Sequence, residues 1–234
     1  MASLISLLSG ITATAIVVTG WLAGLRLYFI NKRAPSKLLP WAALVLITFG
    51  SFYTGTMVYF FYLLGTGAQF TPLYIGAWLC YTVTPLAAAS AVYLGCSLFK
   101  PSLAKIFFGI FFAIGAVYVV LLWFMPDYAV SVPQPPAGEL IDISNENLAK
   151  ILIAVIILGL FVFLVGGFAF LAKKASGEER KTAIFFAIGF GFFLFAAIGD
   201  SLIPEDALLL LIIRLIMLTA FVFLFIAASR MKSK

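Results

Sequence analysis

The sequence predicts an all-α membrane protein, a bundle of seven transmembrane helices with its N-terminus outside and its C-terminus in the cytoplasm. Composition is the first reason: of the 234 residues, 64% are hydrophobic and 10% are charged, whereas soluble domains are about 45–50% apolar and about 25% charged. Seven apolar segments long enough to cross a bilayer are the second reason, and the basic residues between them are the third. A mean hydropathy of +1.17 indicates one membrane domain over residues 1–234.

Each predicted span holds about 20 largely apolar residues, the number that a transmembrane helix needs. Pro40 stands at the start of the second span, Pro101 separates the third from the fourth, and Pro204 marks the turn before the seventh. Proline is tolerated at such places because the N–H groups of the first helical turn lack partners within the helix. The predicted spans are residues 4–30, 40–64, 72–98, 104–125, 148–172, 182–203 and 206–229.

The charges between the spans predict the orientation. Twelve basic residues fall on one side of the predicted membrane, and one, Lys150, falls on the other side together with most of the acidic residues. Because basic loops tend to stay in the cytoplasm, the first side is predicted to be cytoplasmic, and an odd number of spans places the N-terminus outside. The twelve are Lys32, Arg33, Lys37, Lys100, Lys105, Lys173, Lys174, Arg180, Lys181, Arg230, Lys232 and Lys234.

The one sizeable loop, residues 126–147, lies on the predicted outer side and is rich in proline. Pro133, Pro135 and Pro136 favour an extended, polyproline-like course. Two interpretations are open: the loop is a plain connector between the fourth and fifth spans, or it covers the outer face of the bundle.

Two stretches of the sequence are similar to each other. In both, a basic loop is followed by a helix with the pattern Ile-x-Phe-Gly-x-Phe, first at residues 47–52 and then at residues 188–193. A duplication would relate the first three spans to the last three, with the fourth as a linker, and parallel repeats of this kind occur among transporters. Because Phe and Gly are abundant in this chain, chance similarity explains the pattern equally well.

Small residues four positions apart predict close contacts between helices. Gly20 and Gly24 form such a pair on the first span, and Ser51 and Gly55 form another on the second. In a chain with nineteen glycines the signal is weak.

Arginines inside the predicted membrane are candidate functional residues, because charge within the bilayer is costly. Arg26 lies near the basic end of the first span, where its long side chain can reach the interface. Arg214 lies some eight residues into the seventh span, which is roughly 12 Å deep at the rise of an α-helix. Its predicted partner is Asp200, across the preceding turn. A structural ion pair and a ligand-binding pair in an outward-facing cavity are both open.

Hydroxyl-bearing side chains at a similar depth extend this candidate site. Pro85 is expected to kink the third span, and threonine hydroxyls nearby can satisfy the carbonyl groups that the proline frees. The predicted ligand-binding residues, all in the outer half of the bundle, are Asp200, Arg214, Tyr81, Thr84 and Tyr53. The competing interpretation is that the Thr and Tyr side chains only hold helices together.

Several classes of enzyme are excluded by residues that the chain lacks. It has no histidine, and therefore no imidazole ligand for a metal or haem and no histidine for acid–base catalysis. No predicted span has a lysine at mid-membrane for a retinal Schiff base, and Asp200 alone comes near the membrane interior, where an aspartyl protease needs two such residues. Cys80 and Cys96, about 24 Å apart along one helix, cannot bridge each other. We expect no enzymatic activity, metal or cofactor.

The layout resembles the seven-helix receptor-type sensory modules of prokaryotes, which stand alone or are fused to kinases. The resemblance covers the whole chain and rests on topology and on the texture of two stretches, AGLRLYFINKRAPSKLLPWAALVLITFG at residues 23–50 and YTVTPLAAASAVYLGCSLFKP at residues 81–101. It implies a sensory role and carries no site residue over. The chain departs from the kinase-fused kind because no output domain follows the last span, so a signal is expected to pass through a protein partner.

Three functions follow as expectations. The first is a receptor-like sensor or accessory protein of the cell membrane that binds a small molecule or a protein partner in its outer half. The second is a small-solute transporter built from three, one and three helices, and the third is a structural subunit of a larger membrane complex. Membrane lipids are expected around the bundle. Nucleic acid is not expected as a partner, because the net charge of +6 resides in the orienting loops.

Overall fold

A computed structural model of the protein describes residues 3–68, 70–72, 74–131, 140, 143–202 and 207–231, without the side chains of residues 201, 202 and 207. Within these ranges six helical segments are long and apolar enough to cross a membrane. A seventh results when the bent pair Leu39–Ser51 and Thr54–Thr66 is counted as one span. The protein is therefore an all-α, multi-pass membrane protein, as the sequence predicts.

The helices follow one another in seven segments. The first segment is α1 (Leu4–Arg33), the second is α2 (Leu39–Ser51) with α3 (Thr54–Thr66), the third is α4 (Tyr74–Tyr81) with α5 (Thr84–Phe99), and the fourth is α6 (Pro101–Phe124). A connection follows, with α7 (Pro126–Ala129) and the paired strands β1 (Val130–Ser131) and β2 (Ser144–Asn145). The fifth segment is α8 (Asn147–Leu160), a π-helical turn (Phe161–Val165) and α9 (Gly166–Lys174); the sixth is α10 (Gly177–Leu202), and the seventh is α11 (Ala207–Arg230).

The helix boundaries have local causes in the sequence. The Ser3 hydroxyl caps α1 by accepting a hydrogen bond from the N–H of Ser6 at 3.2 Å. Prolines occupy the first turn of α2, α5 and α6, where the missing N–H is not needed. Gly67 ends α3 with φ at +67°, a conformation that glycine adopts without strain. The observed bounds lie close to the predicted spans; the largest difference is the start of the sixth segment, at Gly177 instead of residue 182.

The segments pack as a closed ring. The first contacts the second and the seventh, the second contacts the third, the third contacts the fifth, and the sixth contacts the fifth and the seventh. The fourth segment has the lowest buried share of the six spans, and it packs against the third and the fifth. We call the end of the bundle with the connection between α6 and α8 the loop end, and the opposite end the basic end.

Close helix contacts occur where the sequence places small residues, which confirms that prediction. A Cβ atom added to Gly20 would lie 2.9 Å from Cα of Gly50 in the second segment. One added to Gly55 would lie 2.2 Å from the carbonyl oxygen of Gly76 in the third. The tightest contact in the basic half is at Gly95, where a Cβ atom would lie 2.1 Å from the Phe163 carbonyl oxygen. Only glycine allows these backbones to approach so closely.

The basic end holds charge at its rim. Arg26 of the first segment donates hydrogen bonds from Nε to the Ala228 carbonyl, at 3.3 Å, and from Nη2 to the Ser229 carbonyl, at 3.1 Å. These carbonyls belong to the last turn of α11, where they lack partners within the helix and carry partial negative charge. Arg230 of the same turn pairs with Glu178 of the sixth segment at 3.1 Å. Arg26 is thus held by a helix end at the basic end of the bundle.

Candidate functional site

The second segment breaks at Phe52 and Tyr53, where α2 and α3 meet at an angle of 41°. The continuous helix predicted over residues 40–64 is wrong in this respect. At the break the N–H groups of Phe52 and Tyr53 bond to carbonyls only three residues back. The Thr54 hydroxyl contacts the Ser51 carbonyl and also the Leu79 carbonyl of α4, the latter at 3.0 Å. A side chain that bonds to nearby backbone in this way competes with regular helix.

The third segment is interrupted at Thr82 and Val83, just before Thr84 and Pro85 begin α5, the place where the sequence predicts a kink. Pro85 offers no N–H to the carbonyl of Tyr81, four residues earlier, and the Thr84 hydroxyl donates to that carbonyl at 2.6 Å instead. The indole N–H of Trp123 donates to the Thr82 hydroxyl at 3.0 Å. Both breaks are therefore held by threonine hydroxyls, and they lie side by side.

A cavity of about 100 Å³ lies between the two breaks and the fifth, sixth and seventh segments. All five residues that the sequence predicts as ligand-binding line it: Tyr53, Tyr81, Thr84, Asp200 and Arg214. They come from four different segments, so the fold brings together what the chain separates. The cavity lies in the loop-end half of the bundle. Whether these side chains bind a ligand stays a prediction.

Arg214 is buried, with 4% of its surface exposed. Its Nη1 donates a hydrogen bond to the hydroxyl of Ser9, a residue of the first segment that is buried as well. A charged donor strengthens such a bond, and the contact joins the seventh segment to the first. Arg214 therefore has a structural contact on one side and the cavity on the other.

The Tyr53 hydroxyl stands at a junction of three segments. It donates towards Oδ2 of Asp200, at 3.2 Å, and lies 2.6 Å from Sδ of Met217. Tyr53 belongs to the break in the second segment, Asp200 to the sixth and Met217 to the seventh. The hydroxyl thus fixes one oxygen of the Asp200 carboxylate at the edge of the cavity.

The connection between the fourth and fifth segments closes the cavity from the loop end. Ile143 and Asn145 of this connection line the cavity. Oδ1 of Asn145 accepts a hydrogen bond at 2.7 Å from the hydroxyl of Tyr118, a fully buried residue of the fourth segment. The N–H of Glu146 donates to the Ala129 carbonyl at 2.9 Å. Of the two interpretations of the loop, the described part favours a cover; the three predicted polyproline residues, Pro133, Pro135 and Pro136, lie outside the described residues.

The lining combines polar and apolar side chains. Its described residues include one carboxylate and one guanidinium, whose formal charges cancel. The apolar residues come largely from the fifth and sixth segments, with Ile153, Ile156, Ile157, Leu160, Phe193 and Leu194. An arrangement of this kind suits a ligand with a polar head and an apolar body.

Sequence reasoning missed Ser9, Asn145 and the apolar wall of the fifth segment. Ser9 is one of several serines in an apolar run, and Asn145 follows a loop without periodicity. Nothing in the sequence around either residue indicates a place at the cavity. In the part of the chain that the structure describes, no group of three or more Cys, Asp and Glu residues could hold a metal ion. No protein-family model and no curated protein matches the sequence.

Proposed function

We propose that this protein is a receptor-like membrane protein, without enzymatic activity, that binds a small ligand in the loop-end cavity and signals through a protein partner. One observation carries the proposal. Five polar residues that the sequence singles out for their depth in the membrane all line one cavity, and they come from four segments. A small number of polar groups that converge on a largely apolar cavity is typical of a ligand site.

The volume of the cavity limits the ligand. At about 100 Å³ it is smaller than an engineered protein cavity of about 150 Å³ that binds benzene. A chromophore or a lipid tail is larger than this volume and would extend beyond the cavity. A compact solute of a few heavy atoms fits.

The proposed arrangement in the cell has seven spans, with the bent pair α2 and α3 counted as one. The loop end faces outwards and the basic end faces the cytoplasm of the cell membrane, in accord with the positive-inside rule. A C-terminal fusion to green fluorescent protein is expected to fluoresce, and one to alkaline phosphatase is expected to be inactive. The opposite pair of results would overturn the orientation and turn the cavity towards the cytoplasm.

Binding is tested by thermal unfolding of the purified protein with a panel of small carboxylates, amines, amino acids and amides. We expect at least one solute to raise the unfolding temperature saturably in the wild type and not in Arg214→Met. The matched control is Arg26→Met, which removes an arginine at the other end of the bundle and is expected to keep the shift. If Arg214→Met does not fold, the double variant Asp200→Asn/Arg214→Met replaces it. No shift with any solute, or a shift that survives loss of Arg214, contradicts the proposal.

A transporter is the second candidate, and two observations favour it. Exchange of the first three segments with the last three leaves the pattern of contacts between them unchanged. The ring centroid of Phe49 also lies 6.0 Å from that of Phe190, the equivalent residue of the second similar stretch. Two broken helices also flank the cavity, as they flank the sites of many transporters. Proteoliposomes loaded with the solute found by unfolding distinguish the two functions, because a receptor binds without flux. A structural subunit would do neither and would co-purify with other proteins in fixed stoichiometry.

A further inference from the structure

Among the residues that the structure describes, the cavity wall carries one negative and one positive side chain. Asp200 lies on the sixth segment and Arg214 on the seventh, and both line the same space of about 100 Å³. The Asp200 carboxylate is fixed by the Tyr53 hydroxyl, and the Arg214 guanidinium is fixed by the Ser9 hydroxyl. Both charges are thus held in place by residues of other segments before any ligand arrives. Such preorganisation favours a ligand that is complementary to both.

The signs of the two charges discriminate between classes of ligand. An anion would find Arg214 but would also face the Asp200 carboxylate, and a cation would meet the opposite problem. A neutral solute would offer an opposite charge to neither residue. A zwitterion offers an ammonium to Asp200 and a carboxylate to Arg214. It does so whether or not the two residues contact each other in the empty cavity.

Geometry supports the same assignment at the guanidinium. The planar guanidinium of an arginine can hold a carboxylate through two parallel hydrogen bonds, which gives orientation as well as affinity. The α-carbon of an amino acid separates its two charged groups by a single atom, so both can be engaged within a small space. Ile153, Ile157 and Phe193 line the same cavity and can contact the third substituent of that carbon.

Size and polarity of the remaining wall restrict that substituent. The space of about 100 Å³ leaves room for a short side chain only. The aliphatic and aromatic wall favours an apolar side chain over a polar one, since burial of apolar surface is favourable. Asn145 closes the loop end and is itself tied to Tyr118.

We propose that the ligand is a small apolar zwitterion of the α-amino-acid type, with its carboxylate on Arg214, its ammonium on Asp200 and its side chain against the fifth segment. This inference rests on the proposed function, since it names the ligand class of the same cavity. It predicts that each of the two charges of the ligand is needed for binding.

The test uses Cys80, which lines the cavity, as a reporter. The chain has two cysteines, so Cys96→Ser leaves Cys80 as the one thiol, and its rate of modification by N-ethylmaleimide is measured. The solutes are L-alanine, propionate without the ammonium, ethylamine without the carboxylate, and propionamide without either charge. At a concentration ten times its dissociation constant, L-alanine is expected to slow the reaction about tenfold, because only the empty cavity reacts. The other three solutes are expected to leave the rate nearly unchanged.

Two variants and a second readout support the test. Asp200→Asn in the Cys96→Ser background is expected to abolish protection by L-alanine, and Arg26→Met is expected to retain it. Thermal unfolding with the same four solutes gives the answer if Cys80 reacts too slowly to follow.

The outcomes separate this inference from the proposed function. Equal protection by propionate, ethylamine or propionamide overturns the zwitterion and leaves the cavity as a binding site. The same conclusion follows if none of the four solutes acts but another solute of the panel of carboxylates, amines, amino acids and amides raises the unfolding temperature. If no solute of the larger panel acts, both the inference and the proposed function are wrong.

Discussion

Arg26 and Arg214 lie at opposite ends of the bundle, and their surroundings differ. Arg26 donates to two carbonyls at the end of the seventh segment, next to the rim of basic residues. Arg214 is buried in the loop-end half, donates to Ser9 and lines a cavity with Asp200. The first arginine neutralises a helix end, and the second supplies a fixed charge to the cavity.

The difference indicates which of the two arginines can be replaced with little loss of stability. The carbonyls that Arg26 contacts lie at the basic end, where water and lipid head groups can replace the arginine at small cost. Arg214 and Asp200 line one cavity, so removal of Arg214 takes a positive charge away from the surroundings of a poorly solvated carboxylate. The two arginines therefore give matched substitutions with unequal expected effects.

The largest expected effect is that of Arg214→Met on stability. The substitution is expected to lower the free energy of unfolding by about 3 kcal/mol, the lower end of the range for loss of one member of a buried charged group, because Asp200 is partly exposed. The double variant Asp200→Asn/Arg214→Met is expected to recover part of the loss. Chemical unfolding in detergent measures both, and a double variant that is less stable than the single one would show that the charges do not act together.

The next effect concerns the packing of Gly95 in the basic half, where its helix has no room for a side chain. Gly95→Ala would place a methyl group 2.1 Å from the Phe163 carbonyl oxygen, so we expect a loss of about 1–3 kcal/mol from overpacking. Gly166→Ala is the matched control, because nothing lies within 4 Å of its added Cβ atom. That control is expected to be neutral or more stable, since alanine favours helix. Equal effects of the two substitutions would argue against this helix contact.

Loss of the Tyr53 hydroxyl is expected to have a moderate effect. Tyr53→Phe removes the bond to Asp200 and the contact with Met217, and hydrogen bonds between membrane helices contribute about 1 kcal/mol. Affinity for the ligand is expected to fall as well, because the Asp200 carboxylate loses its fixed position. Unfolding with and without the ligand separates the two effects; a variant with wild-type affinity would show that Tyr53 does not position Asp200.

Arg26→Met is expected to have a smaller effect still. It removes a favourable interaction with the end of a helix, which is typically worth about 0.3–1 kcal/mol. Ligand-dependent stabilisation is expected to persist, since Arg26 lies far from the cavity lining. If Arg26→Met lowers the free energy of unfolding as much as Arg214→Met does, the two arginines do not differ in the way described.

An effect on stability no larger than that of Arg26→Met is expected for Ala88→Val, which adds volume in the loop-end half. Ala88 lines the cavity, so the added methyl groups enter empty space, and the change in unfolding free energy is expected to stay within about 1 kcal/mol. Ligand binding is expected to be lost because the cavity becomes too small. The contrast with Gly95→Ala tests whether the spare volume lies at one end only, and binding that survives in Ala88→Val would move the ligand elsewhere.

Much of the fold could be predicted because length and apolarity alone define a membrane helix. The residues that line the cavity could also be predicted in part, since Asp200 and Arg214 are rare charges within apolar runs. Pro85 likewise indicates where the third segment is interrupted. The break at Tyr53 could not be predicted, because no proline lies there. It depends on the Thr54 hydroxyl, which bonds to a carbonyl of another helix. Ser9 and Asn145 could not be predicted, because their roles arise from contacts with Arg214 and Tyr118 across the bundle.

The side-by-side breaks also divide the bundle mechanically. Beyond the break, α3 is fastened to α4: the Tyr59 hydroxyl accepts a hydrogen bond from the N–H of Gly76 at 2.8 Å, and Gly55 packs against the same residue. An unbroken helix resists bending because each residue contributes a backbone hydrogen bond, whereas at these two joints few such bonds would stretch. The pair α3 and α4 therefore forms one packed unit beyond the two breaks. Tyr53 lies at the boundary of that unit and lines the cavity, so a molecule in the cavity would contact the junction between the two halves of the bundle.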